Sequence, residues 1–390
     1  MFAVLAVARK VSGVWIALLS LLALAACGLT LPSGGPSVNT SRPIPVALLV
    51  PGGSDNAADG TLAASLENAA RLAMAELDGV EIDLRVYNTA ADAATASAMA
   101  SKAVSEGAKI ILGPVYAGNA NAAGLAVANR NINVLAFSNN TDIAGGNVFV
   151  LGHTFQSTAN RLVGYASNQG KGNILIVHAQ SPAENAGRAA IERAIANTPA
   201  TLAGTASFEL SQTGIINALP EISAQVRETG AQSIFLTSGT DGAIPFLAGL
   251  LPENGVKPEE IQYIGLQRFD IPATAMSLPG LQGGWFAMPD QALNAQFLAR
   301  YEARYGSQPH PIAGLAYDGI AAIGALASTG QSDALTTVAL TQPQGFAGVN
   351  GVFRLRGDGT NERGLAVATI EEGQVVILDP APRSFAGAGF

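Results

Sequence analysis

Two periods alternate along this chain from residue 44 onward. Short apolar runs at 46–50, 109–112, 134–137 and 148–151 read as strands covered on both faces, whereas 82–87 alternates apolar and polar. Between them lie stretches of helical period. Residues 62–77 put Leu62, Leu66, Ala69, Ala73 and Leu77 on one face. The next helix is capped by Asp92 or Thr89 and runs to Gly107, and a third, rich in Ala, covers 122–129 after a polar loop at 116–121. The pattern restarts after His153. Helix 158–168 leads to strand 174–178, helix 184–195 to strand 203–208, helix 215–228 to strand 233–237, and helix 242–251 to strand 262–265. Such alternation predicts an α/β fold of parallel sheets flanked by helices, and its two runs predict two lobes. Helical segments at 293–305, 312–326 and 332–340 follow Gly283-Gly284, and the tail turns strand-like at 351–356, 365–371 and 375–378.

The unit 109–137 is one βαβ turn whose two strands each open into a polar loop. In open parallel sheets that edge is where small ligands bind. The loops at 53–55, 116–119, 138–141, 238–241 and 267–268 share this position, so the candidate ligand-binding residues are Ser54, Tyr116, Asn119, Ser138, Asn140, Thr141, Ser238, Thr240, Gln267 and Arg268. For the 237–242 loop a plain helix cap by Thr240 or Asp241 is an equal reading.

With 390 residues, 48% hydrophobic and 13% charged, the chain can bury two cores of ordinary size. A net charge of -8 and no Lys/Arg cluster exclude a phosphate-backbone footprint, hence nucleic acid. His153, His178 and His310 are scattered and make no metal motif; His178, ending an apolar strand, reads as structural. There is no G-x-S-x-G elbow, no S-x-x-K, no Walker loop and no G-x-G-x-x-G. No enzyme activity, metal or cofactor is expected.

Arg9-Lys10 precedes the apolar run 11–26, which ends in Leu24-Ala25-Ala26-Cys27-Gly28. A basic start, a short apolar stretch and small residues before a cut are secretory features, and a membrane span needs roughly 20 apolar residues. The ending resembles the bacterial lipoprotein lipobox, which implies that 1–27 is a signal peptide ending at a lipidated Cys27, the chain's one cysteine. Gly28 in that pattern implies the outer membrane over the inner. Residues 1–8 precede the basic pair, so the natural start is expected a few residues later. Residues 28–43, rich in Pro, Gly, Ser and Thr, read as a flexible tether.

The stretches LENAARLAMAEL, YNTAADAATASAMASKAVSEGAKIILGPV, FLARYEARYG, AGLAYDGIAAIGAL and GFAGVNGVFRLRGDG, in this order, resemble the type I periplasmic binding proteins, nearest the leucine/isoleucine/valine-type solute-binding group. The resemblance implies two Rossmann-like lobes joined by a three-strand hinge, with 44–152 plus 289–345 as the first lobe, 153–288 plus 346–383 as the second, and 384–390 as a frayed tail. It implies a periplasmic, non-enzymatic protein that binds a small polar solute of amino-acid or amide type between the lobes for an ABC transporter. In amino-acid binders of the group the loop after the Gly-Pro strand offers a serine to the ligand carboxylate. Here 116–119 offers none, and Ser138, Asn140 and Thr141 stand in. Asn185 and Thr240 fall near the group's closing tyrosines. The acidic residue for the ligand amine falls near Gln267 and Arg268, where no carboxylate is expected. A second branch of the fold, the penicillin-binding protein activators, is similar too; it implies a lipoprotein whose partner is a peptidoglycan synthase.

Overall fold

The structure is a computed structural model and describes residues 35–385. The expectations for the signal peptide, Cys27 and residues 386–390 lie outside the described residues. Among the described residues no helix is long and apolar enough to cross a membrane.

The first lobe is a five-stranded parallel sheet in the order β2-β1-β3-β4-β5, with β1 at Ile44–Val50, β2 at Ile82–Asn88, β3 at Ile110–Leu112, β4 at Val134–Ala136 and β5 at Val148–Val150. Alternate residues of β1 explain its unbroken apolar run. Val46, Leu48 and Val50 face the core under α1 (Ala57–Ala75), while Ala47 and Leu49 face the core under α2 (Ala93–Ser105) and α3 (Ala117–Val127). Both faces are covered, so neither can carry polar side chains.

The second lobe repeats the plan. Its seven-stranded sheet runs β15-β14-β10-β9-β8-β6-β7 and is parallel from β10 to β7. The parallel strands are β6 (Asn173–Ala179), β7 (Thr201–Phe208), β8 (Ser233–Leu236), β9 (Gln262–Gly265) and β10 (Trp285–Met288); β14 (Ala366–Glu371) and β15 (Gln374–Asp379) add an antiparallel edge. Leu175 and Val177 face one core, Ile174 and Ile176 the other. Helices α4 (Phe155–Asn168) and α5 (Pro182–Ala196) cover one face; α6 (Gln212–Thr229) and α7 (Ile244–Glu253) cover the other. Helices α8 (Gln291–Tyr305), α9 (Gly314–Ala327) and α10 (Thr337–Leu340) return to the first lobe, and a small antiparallel sheet of β11 (Phe346–Gly348), β12 (Gly351–Leu355) and β13 (Asn361–Arg363) follows.

The structure departs from the sequence reading at several places. Strand β10 is absent from that reading, which passes from Gly283-Gly284 directly to the helical segment at 293–305. Helix α3 begins at Ala117, inside the expected polar loop, since Ala120 and Ala123 bury against the first core and draw the Gly/Asn-containing first turn into the helix. That moves Asn119 from a loop to a helix. The later part of the expected tether is docked: Val38 is buried, and its N–H donates to the Ser332 carbonyl at 2.8 Å. Phe346, Val349, Phe353 and Leu355, expected in the second lobe, are packed in the core of the first. Phe385, expected in the frayed tail, is buried under the Arg354 guanidinium at 4.6 Å.

The chain passes between the cores at 151–154, 289–290 and 356–364. A buried ion pair ties the first and last of these crossings together. Arg363 Nη1 donates to Asp318 Oδ2 at 2.9 Å, with both side chains almost wholly buried, and its Nε and Nη2 donate to the Leu151 carbonyl at 3.0 and 2.6 Å. The other Asp318 oxygen accepts the Val349 N–H at 2.8 Å. Beside the pair, Asn361 Nδ2 donates to the carbonyls of Val150 and Gly152, both at 2.8 Å. Removing one member strands a buried charge, so Arg363→Ala is expected to cost about 3–5 kcal/mol. The double variant Asp318→Leu/Arg363→Met is expected to recover most of it. Urea unfolding checks this; a loss under about 1 kcal/mol for Arg363→Ala contradicts it.

Candidate functional site: a cavity at the sheet edge beside the hinge

A cavity of about 400 Å³ opens at the carboxyl ends of β3 and β4. Its polar wall is Ser138, Asn139, Asn140 and Asn350, its apolar wall Phe137, Ile312 and Leu315, and its floor the crossing residues Gly152 and His153. Two glycines shape it. Gly113, at φ +81°, lets β3 turn off, since a Cβ there would meet the Leu49 carbonyl oxygen at 2.2 Å. Gly152 lets the crossing pass Ser138, whose carbonyl oxygen a Cβ would meet at 2.6 Å.

Of the ten candidates, the structure brings Tyr116, Ser138 and Asn140 into this wall. The Tyr116 ring is 40% exposed, but its hydroxyl donates to Asp59 Oδ1. Ser54 Oγ donates to Asp59 Oδ2 at 2.7 Å, so both of those hydroxyls serve one carboxylate in the first turn of α1. The bond from Tyr116, then that from Ser54, holds Asp59 below the usual carboxylate range. The same bond, aided by burial, pushes the Tyr116 phenol up. Ser138 Oγ accepts the Asn140 N–H at 3.1 Å, and Asn140 Oδ1 accepts the Asp142 N–H at 2.8 Å, which opens the 3-10 turn Thr141–Ile143. Asn119 is buried, and its Nδ2 has no hydrogen-bond partner among the described residues.

The second-lobe candidates lie outside the cavity wall. Ser238 Oγ donates to Glu184 Oε1 at 2.7 Å, Thr237 Oγ1 and the Ala179 N–H donate to Oε2, and the Glu184 N–H donates to Oγ of Ser181, the N-cap of α5. Thr240 Oγ1 donates to the Ile271 carbonyl. Gln267 is exposed, with Nε2 donating to the Thr237 carbonyl at 3.3 Å. Arg268 corrects the sequence reading most sharply. A carboxylate is present beside it: Asp270, with a side chain 9% exposed, takes both ends of the guanidinium, with Nε to Oδ1 at 2.8 Å. The sequence R-F-D signals this pair, two residues apart on a loop.

Sequence reasoning passed over Asp59, Asp270, Asn350 and the position of His153 on the cavity floor. His153 touches water, yet it sits among many protein atoms, which push its pKa down; the cations Arg363 and Arg268 push it further the same way. Contact with water moderates the first of these causes. The ring is neutral at physiological pH. His178 is buried with Nδ1 at 3.0 Å from the Ala179 carbonyl, and among the described residues no group of His, Cys, Asp or Glu is placed to hold a metal.

Two parallel-sheet lobes, three crossings and a cavity at the sheet edge beside the hinge define a bilobed binding protein. The chain belongs to the periplasmic binding protein family, which it matches over residues 43–374. No curated protein matches it. Among solved structures it is similar to a Rhodospirillum rubrum protein described as a branched-chain amino acid ABC transporter (TM-score 0.72, 17% identity, covering 86% of this chain and 100% of that one). It is also similar to an ABC transporter substrate-binding protein from Desulfitobacterium hafniense in complex with Leu (TM-score 0.60, 18% identity, 86% and 100% covered). A third is an ABC transporter solute-binding protein from R. palustris in complex with benzoate (TM-score 0.54, 16% identity, 88% and 97% covered). At these identities the likeness shows the fold.

Asp59 has a folded-state pKa below its unfolded value, so its contribution to stability is present above the unfolded value and lost as pH falls through the folded one. Tyr116→Phe removes the larger of its two hydroxyl donors. In that variant the Asp59 carboxyl is expected to titrate higher and the acid limb of the stability curve to shift less. A carbon-13 NMR titration of the carboxyl reads this; an unchanged Asp59 pKa contradicts it.

Proposed function

We propose that the protein captures a small solute in the cleft between its lobes and passes it to an ABC transporter, working in the periplasm on a lipid anchor at Cys27. The observation that carries this reading is the place of the cavity. It opens at the carboxyl edge of the first sheet and has hinge residues Gly152 and His153 for its floor. A solute seated there touches the crossing at Gly152 and His153, and closure of the hinge brings the loops at 238–241 and 267–268 over it as the second wall. The mixed lining suits a solute with an apolar body and a polar head.

A solute present at 100 times its dissociation constant stabilises the bound form by about 2.7 kcal/mol. A metabolite screen is therefore expected to raise Tm by several degrees with the right solute, and Ala117→Trp, which fills the wall, is expected to abolish that rise. If no solute moves Tm and the protein copurifies with a peptidoglycan synthase, the activator reading replaces this one.

A further inference from the structure

The acidic groups around the cleft share a property that bears on what the cleft can hold. Among the described residues that line the cavity there is no Asp, Glu, Lys or Arg. Asp59, Glu184, Asp270 and Asp290 are each occupied within the protein. Asp59 takes the hydroxyls of Ser54 and Tyr116 and lies buried behind the tyrosine that forms the wall. Glu184 takes Thr237, Ser238 and the Ala179 N–H. Asp270 is held at both oxygens by Arg268, so an ammonium approaching it meets a guanidinium first. Asp290 accepts the N–H groups of Ala292 and Leu293 as the cap of α8. Asp55, Asp142 and Asp241 are exposed to water and outside the wall.

Donors are differently placed. Helix α3 opens at the wall with Tyr116 in the N-cap position making no side-chain cap bond, so its first-turn N–H groups keep their capacity. The Ser138 hydroxyl hydrogen and the amides of Asn139, Asn140 and Asn350 add to them.

We infer that the cleft selects a solute without an ammonium group: an apolar body bearing a hydrogen-bond-accepting head, a carboxylic acid or its amide, in place of an α-amino acid. The inference rests on the solute-capture reading above and narrows it. A desolvated ammonium with no carboxylate to meet it is penalised, whereas an accepting head finds donors already in place.

Two probe pairs that differ only in the amino group test this: 4-methylpentanoate against leucine, and 3-phenylpropanoate against phenylalanine. Calorimetric titration of the full-length protein at pH 7 is expected to show the amine-free member of at least one pair binding tenfold or more tighter than its amino acid. Equal or tighter binding of the amino acids overturns the inference. So does failure of all four probes. If those four fail while another solute class raises Tm, the inference falls and solute capture stands; if every solute fails, both fall.

Discussion

Asp318 and Arg363 hold the first and last crossings of the hinge to helix α9. Arg363 lies on the last crossing, its guanidinium reaches the Leu151 carbonyl on the first, and Asp318 holds the Val349 N–H on the way out of the first lobe. Burying both charges is expensive, and a well-packed apolar pair would serve stability as well or better. What the pair provides is direction. A guanidinium has a fixed fork of donors, and every arm used here ends on a group that belongs to the hinge or to the helix behind it. The crossings are thereby registered against α9, and the residues just beyond them are free to turn.

That registration places the cavity floor. Leu151 is fixed by Arg363 and Gly152 by Asn361, so the next residue, His153, enters the cleft at a defined height. The same Arg363 helps keep its imidazole neutral. Above the floor, a second set of internal bonds settles the electrostatics. Hydroxyls that sequence alone offers to a ligand are spent on Asp59 and Glu184, and the free-looking cation at Arg268 is spent on Asp270. The wall that remains presents amides, backbone N–H groups and apolar surface.

Most of the fold was legible because strands buried on both faces leave long apolar runs, as β1 and β6 do. β10 was not, and neither was the start of α3, where burial of Ala120 overrides a Gly/Asn-containing sequence. The site was legible as a set of loops and hidden as a set of contacts. Sequence places Ser54, Tyr116, Ser238 and Thr240 on the right edge of the sheets, but their hydroxyls are claimed by partners at a distance: Asp59 lies 57 residues before Tyr116, and Glu184 lies 54 before Ser238. Pairings of that range follow from topology and leave no local pattern. Arg268 and Asp270 are the exception, close enough in sequence to be read as a pair.

If the lobes close over a solute at the hinge, the distance between them shortens. Spin labels at positions 142 and 241, exposed residues of the first and second lobes, report it by pulsed electron resonance in a protein whose Cys27 has been replaced. With a saturating solute drawn from the thermal screen, closure predicts a shorter and narrower distance distribution than in the solute-free protein. An unchanged distribution with the solute demonstrably bound contradicts it.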